Sequence, residues 1–204
     1  MKLATNTPAP AFTGELLGGG HLSLTDLRGC PVLLKFYRFV ECPICNLHLR
    51  ELVLRHDEVA AAGLTTVVLF HSPLSRAERK QGYDLPFQAI ADPKKRIFYD
   101  YGVEESLGGM FARSVARDYV RAMRAGFYSR PFGYHGGIKG HPADFIIDGH
   151  GVIKHAQYGE SYADSLRVDA VISLAGELGI TPRSAASGRF RVHDHAAAAA
   201  PERS

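Results

Sequence analysis

Lys35-Phe36-Tyr37-Arg38-Phe39-Val40-Glu41-Cys42-Pro43-Ile44-Cys45-Asn46 carries the end of an apolar run into a short turn and then to two thiols separated by two residues. Upstream, Pro31 to Tyr37 is β-branched and aromatic enough for a buried strand; downstream, Leu47, Leu49, Leu52, Val53 and Leu54 suit a largely buried helix. The cysteines therefore stand where a strand hands over to a helix N-terminus. Unpaired N–H groups and the positive end of the helix dipole stabilise a thiolate there. A cysteine so placed in a Cys-x-x-Cys pair can have its pKa lowered from about 8.5 to roughly 3.5–7.5, and the thiolate is the nucleophile. Arg38, four residues before Cys42, adds positive charge, and Pro43 fits the first helical turn, where the donor it lacks would be orphaned anyway. Cys45 can then close a disulfide with Cys42.

Two other readings of the pair stay open on the residues alone. It could be half of a zinc site completed by His48 or His56, although a structural site wants four ligands and no second Cys-x-x-Cys or His pair is visible. It could also be core packing, since free cysteine is often buried. Beside a strand–helix–strand pattern, and without a secretion signal, the spacing reads as a thioredoxin-like redox motif.

At 204 residues and 46% hydrophobic, the chain is long enough for one well-buried domain with a tail. A net charge of +3 and a pI near 8.8, with no long basic run, give no argument for nucleic acid. Met1 to Phe12 lacks an apolar core of signal-peptide length, and no stretch approaches the roughly 18 apolar residues of a membrane span, so a soluble, cytoplasmic protein is expected. Three cysteines, with Cys30 apart from the pair, do not make a secreted disulfide framework.

Working outward, residues 8–29 carry Pro8, Pro10 and the Gly18-Gly19-Gly20 turn, a short hairpin or loop leading into the core strand. Gly63 is a plausible helix C-cap before a second strand, Leu64–Phe70. Strand, helix, strand at this length predicts a right-handed parallel crossover. A short exposed helix is predicted over Ser75–Gln81, a strand over Phe87–Ala91 and a helix over Lys94–Tyr101 closed by Gly102, an alternation that favours a mainly parallel sheet covered on both faces.

From Ser106 to Gly126, Phe111, Val115, Tyr119, Met123 and Phe127 are spaced as one helical face, to pack on the domain or on a second subunit as a homodimer. Arg113, Arg117, Arg121 and Arg124 form a second stripe, either a solvated face or a lure for an acidic partner or membrane surface. Ser129 to Gly140 is then a loop long enough to fold over the cysteines. Pro142–Asp148 and Val152–Tyr158 read as a hairpin around Gly149-His150-Gly151, and Asp164–Leu178 as a final helix. The expected organisation is one domain over residues 1–180, a helical insertion at about 106–140 and a disordered tail over 181–204, where His193 and His195 are weak metal candidates.

These pieces resemble the alkyl hydroperoxide reductase and thiol-specific antioxidant family, in its peroxiredoxin-like branch with a Cys-Pro-x-Cys site. The resemblance rests on Thr7-Pro8-Ala9-Pro10-Ala11-Phe12, Leu24-Thr25-Asp26-Leu27-Arg28-Gly29, Phe36-Tyr37-Arg38, Cys42-Pro43-Ile44-Cys45-Asn46 with Leu49 to Leu52, and Pro142 to Asp148 with Gly151. It implies an α/β, thioredoxin-like fold, with a central mixed sheet and helices on both faces, and a cis proline at Pro142 opposite the nucleophile. It also implies two-electron thiol chemistry on peroxides or disulfides. The family's site carries threonine or serine three residues before the peroxidatic cysteine; Phe39 stands at that offset from Cys42, whereas counting from Cys45 puts Cys42 there and Lys35 where an upstream proline belongs. The helix-dipole argument picks Cys42 as attacker, as the more exposed sulfur at the helix end; the family register picks Cys45.

The function expected is thus reduction of a hydroperoxide or a substrate disulfide by Cys42, with Cys45 as resolving thiol, Arg38 holding the thiolate and Pro142 shaping the approach. An external thiol reductant, such as a thioredoxin or glutathione system, would recycle the disulfide, and no cofactor is called for. The rivals are a protein disulfide oxidoreductase, a copper or zinc metallochaperone using the two soft thiolates and a histidine, and a redox sensor without turnover.

Overall fold

The computed structural model describes residues 1–75, 77, 85–103, 113–128 and 140–181. Most of the helix predicted over 75–81, the start of the 106–140 insertion with Phe111, the loop at 129–139 and the tail at 182–204 lie outside the described residues.

Seven strands form one mixed sheet: β1 (Thr13–Leu16), β2 (His21–Ser23), β3 (Val32–Tyr37), β4 (Thr65–Phe70), β5 (Gln88–Ala91), β6 (Ala143–Ile147) and β7 (Ile153–Tyr158). Their order is β2-β1-β5-β4-β3-β6-β7. Only the centre, β5-β4-β3, is parallel; β1 joins β5, and β6 joins β3, antiparallel. The mainly parallel sheet predicted from the alternating pattern is therefore confined to the two crossovers that build it. The hairpins at either end need no helix to turn the chain and pair antiparallel.

Helix α1 (Pro43–Leu54) follows the turn after β3 and is separated from α2 (His56–Ala61) by Arg55 alone, and Gly63, at φ +88°, ends the pair. A Cβ on Gly63 would lie 2.7 Å from the carbonyl oxygen of Thr181, so the position needs both the left-handed backbone and the missing side chain. Helix α3 spans Arg96–Asp100, α4 Arg113–Arg124 and α5 Val168–Glu177. The predicted start of α3 moves to Arg96 because the Asp92 carboxylate accepts from the amides of Arg96, Ile97 and Phe98 (3.1, 2.8 and 3.3 Å) and Lys95 is left-handed.

Along β3 the side chains alternate between two cores. Leu33 and Tyr37 face the layer of α1, α2 and α5, while Val32, Leu34 and Phe36 face the opposite layer with α3. On that far side Phe36 meets the rings of Phe98, Tyr101 and Phe145 at centroid distances of 4.9, 5.2 and 5.6 Å. Aromatic pairs of this kind contribute about 0.5–1.5 kcal/mol each beyond area burial, which pins the strand end that delivers Arg38 and the cysteines.

Lys35 lies between Leu33 and Tyr37 and so points beneath α1. Its register partner is Asp144 on β6, at 2.6 Å, and the two are 2% and 1% exposed. Lys35 also donates to the carbonyl of Leu166 (3.0 Å), and Asp144 accepts from the hydroxyl of Ser165 (3.0 Å) and the amide of Leu166 (2.6 Å). These bonds, with Asp164 accepting from the amide of Glu160 and the side chain of Gln157, hold 164–167 out of helical geometry. The last helix accordingly begins at Val168 rather than at Asp164 as predicted.

Helix α4 packs across α1, but not on the predicted face. Val115, Asp118 and Ala122 are buried, whereas Tyr119 is 44% exposed. The face is rotated because Asp118 turns inward, its carboxylate 3.5 Å from Nε2 of buried His48 on α1, with Arg121 and Arg117 at 3.3 and 3.4 Å on its outer side. Burial, then the charges of Lys35 and Arg167, hold His48 below its ordinary pKa despite Asp118. An apolar count treats Asp118 as surface; pairing with a buried histidine makes it an interior residue.

Candidate active site

The turn after β3 is held by its own polar groups. The amide of Val40 donates to the hydroxyl of Ser72 (3.1 Å), and the Asn46 side chain donates to the carbonyls of Val40 and Cys42 (2.6 and 2.8 Å). Asn46, one turn into α1, thereby ties the helix to the loop that feeds it. Cys42 is the N-cap of α1, with φ −62° and ψ 116°, and Pro43 occupies the first turn. The sulfur takes the place of the usual capping oxygen: Sγ accepts from the amide of Cys45 at 3.4 Å.

Nη1 of Arg38 lies 3.7 Å from the same sulfur. The guanidinium carbon itself lies against two rings, 3.6 Å from the centroid of Tyr162 and 5.2 Å from that of Phe39. Both cysteines are free thiols and both are buried, Cys42 at 1% and Cys45 at 3% exposure. The sequence argument that Cys42 is the more exposed of the two is therefore corrected: the N-cap position lies in the interior, among the buried residues of the core on this side of the sheet.

The two thiols are nonetheless driven apart in acidity. Burial by itself raises the Cys42 pKa. The hydrogen bond from the Cys45 thiol, the Arg38 charge and the amides of Cys45 and Ile44 outweigh it, lowering the value from 9.0 to about 7. Cys45 is pushed well above 9.0 by burial and by the hydrogen bond and charge of Cys42, with Arg38 a smaller opposing influence. The arrangement gives one nucleophile and one thiol that keeps its proton beside it, the division of labour a dithiol needs. The absorbance of the thiolate near 240 nm, taken as the difference between the reduced protein and its Cys42→Ser variant, is expected to rise with a midpoint near pH 7. About a tenth of the plateau should remain one unit lower, since the ionised fraction falls tenfold per unit below the pKa. A midpoint at 9 would remove the thiolate from the reading.

Pro142 precedes Ala143, the register partner of Phe36, and so stands at the sheet end near the turn. The cis bond implied at this residue is not present: no peptide bond is cis among the described residues. Its carbonyl accepts from the amide of Gly159 (2.9 Å), so Pro142 seats the 159–164 turn. The zinc alternative fares no better. His48 meets Asp118, His56 lies against Phe87 with centroids 5.6 Å apart, and no group of three His, Cys, Asp or Glu that could hold a metal occurs among the described residues. Cys30 sits apart, where its amide closes the turn onto Leu27.

Asn46 and Tyr162 are the site residues that sequence reasoning missed. Asn46 was legible in principle, as an amide one helical turn after Cys42; nothing local marks Tyr162, which enters from 120 residues away.

Against known proteins, residues 5–156 match the AhpC/TSA family. The chain belongs to the AhpC/TSA family. This AhpC/TSA protein is 33% identical over 123 residues to a thiol peroxidase of Mycobacterium tuberculosis, covering 55% of this chain and 69% of that one. It is 28% identical over 109 residues to the chloroplastic peroxiredoxin Q of Suaeda salsa, covering 53% of this chain but only 51% of that relative, about half its length. Among solved structures it superposes on the peroxidoxin BcpB of Mycobacterium tuberculosis with a TM-score of 0.62, at 15% identity over 85% of this chain and 96% of that one. On a reduced 2-Cys peroxiredoxin of Plasmodium vivax the TM-score is 0.59, at 18% identity over 86% and 81%. The fold of the AhpC/TSA chain is thus the thioredoxin-like α/β fold expected, a central mixed sheet with helices on both faces. No helix among its described residues is long and apolar enough to cross a membrane.

Proposed function

We propose that this protein is a thiol-dependent peroxidase in which Cys42 attacks and Cys45 resolves. The observation that carries the reading is the opposite displacement of two adjacent thiols, Cys42 down and Cys45 up, around one guanidinium 3.7 Å from Cys42 Sγ. The Cys42 thiolate attacks the distal oxygen of a hydroperoxide, forming an S–O bond as the O–O bond breaks, so that Cys42 becomes a sulfenic acid and the leaving alkoxide takes a proton to become an alcohol or water. Arg38 offsets charge on the attacking sulfur and the departing oxygen. Cys45 then gives up its proton and attacks the sulfenic sulfur, expelling water and forming the Cys42–Cys45 disulfide. An external dithiol or glutathione system reduces that disulfide and is itself oxidised.

The 1% exposure of Cys42 favours a small hydroperoxide over a folded protein disulfide, which needs an accessible sulfur. A reducing, cytoplasmic compartment fits a site that works from free thiols. The working unit is residues 1–180, with 106–140 as an insertion and 181–204 as an appended tail. Every group named lies within one chain, so the chemistry is complete in a protomer whether or not two associate.

One equivalent of hydrogen peroxide added to the reduced protein, followed by alkylation and mass measurement, is expected to leave Cys42 and Cys45 blocked as a disulfide and Cys30 alkylated. Full alkylation of Cys42 and Cys45 after peroxide would overturn the assignment.

A further inference from the structure

Arg38 has a long side chain and must stay within reach of one sulfur for its charge to count. Freely rotating, such a chain retains about 2 kcal/mol of rotamer entropy, and its charge is spread over many positions. Here it is 5% exposed and its Cζ lies 3.6 Å from the Tyr162 ring centre, much closer than the 5.2 Å to Phe39. Tyr162 is therefore the principal stacking surface, and guanidinium on aromatic is the geometry in which planar charge and ring quadrupole attract.

Tyr162 is held in its turn. It belongs to no strand or helix but to the turn between β7 and α5, is 5% exposed, and is met at its edge by the His141 ring (5.5 Å, 71°). His141 Nδ1 donates to the carbonyl of Gly159 (2.8 Å), and the amide of Gly159 donates to the carbonyl of Pro142 (2.9 Å). A Cβ on Gly159 would come within 2.5 Å of the Asp164 carbonyl oxygen and 2.9 Å of that of Pro142, so the turn closes this tightly only around glycine. On the other side Ser161 meets Ser114 of α4, Oγ to Oγ 3.4 Å. A rigid path thus runs from the start of β6, through the turn, to the face of one arginine.

We propose that Tyr162 is the positioning residue of this site: its ring fixes the Arg38 guanidinium beside Cys42 Sγ and so sustains the thiolate. The inference rests on Cys42 being the attacking sulfur, but its test needs no peroxide. The thiolate midpoint is read from the 240 nm difference titration in wild type, Tyr162→Phe, Tyr162→Leu, Arg38→Met and the Tyr162→Leu/Arg38→Met pair, each checked for folding by circular dichroism. Tyr162→Phe keeps the ring and is expected to keep the midpoint. Tyr162→Leu is expected to raise it by about one unit, a roughly fivefold loss of thiolate at pH 7, as a neighbouring opposite charge is worth 1–3 units. In the Arg38→Met background the same change should add nothing, because no guanidinium is left to place. An unchanged midpoint in folded Tyr162→Leu, or an equal shift with and without Arg38, overturns the proposal. Should Tyr162→Leu not fold, Arg38→Lys carries the test, since an ammonium has no plane to stack; its midpoint should rise, and an unmoved one overturns the proposal. A normal Tyr162 effect in a protein that consumes no peroxide would overturn the peroxidase reading and leave the positioning role standing.

Discussion

Cys42→Ser is expected to lower peroxide consumption, with dithiothreitol as reductant, by three orders of magnitude or more, the scale on which removal of an enzyme nucleophile acts. Serine at this place would still accept the Cys45 amide as an N-cap, and Arg38 and Tyr162 would remain, so the fold should survive the change. The companion variant separates the two sulfurs. Cys45→Ser leaves the N-cap thiolate with its Arg38 contact but removes the resolver, so one turnover should strand a sulfenic acid on Cys42, trapped by dimedone and seen by mass. A sulfenic acid found instead on Cys45 in the Cys42→Ser protein would reverse the assignment and vindicate the family register. Residual consumption by Cys42→Ser equal to wild type would remove Cys42 from the attacking role, leaving Cys45 and Cys30 to be examined.

The second large effect concerns stability. Asp144→Ala would leave the Lys35 ammonium buried beneath α1 and take the acceptor from Ser165 and the Leu166 amide at the same time. Breaking one side of a buried ion pair costs about 3–5 kcal/mol, because the surviving charge is left in the interior without a counter-charge. For a domain of this size each kcal/mol moves the melting temperature by about 2–4 °C, so a fall of roughly 6–20 °C is expected by calorimetry. Replacing the pair together, as Lys35→Met with Asp144→Leu, should lose much less, since two apolar side chains need no partner. A double variant as unstable as Asp144→Ala would mean that the Leu166 and Ser165 contacts, rather than the charge, hold this layer.

These two expectations differ in how far the sequence foretold them. Cys42, Cys45 and Arg38 lie within eight residues of one another, so strand periodicity, a proline in the first turn and a helix dipole suffice to place them. Lys35 and Asp144 are joined only by the β3–β6 register, which depends on the long connection between them, and each reads alone as an ordinary charged residue. Asp118 misled for a related reason: its partner His48 belongs to another helix, so the helical face around Val115 was drawn one position away from the buried one. The start of the last helix was misjudged because Asp164 spends its side chain on the Glu160 amide of the preceding turn and Ser165 on the Asp144 carboxylate of another strand. Pro142 shows the limit of inheritance by likeness: a proline at a strand start is legible, whereas the isomer of its bond is not. Local chemistry is written locally, and what the sheet assembles from afar is not.

Residues 2–9 run along the outer side of β7. There the Asn6 amide donates to the Ile153 carbonyl (2.7 Å), the Ile153 amide to the Thr7 carbonyl (2.9 Å), the Ala9 amide to the Gly151 carbonyl (2.9 Å) and the Leu3 amide to the Tyr158 hydroxyl (2.7 Å). The first residue of the last strand is therefore already paired on its outer side. At the opposite margin β2 is three residues long, too short to template an added strand. Edge-to-edge pairing is thus hindered at the head of one border by the chain's own residues 6–9 and at the other by brevity. Both devices are local to the chain itself and call on no second copy.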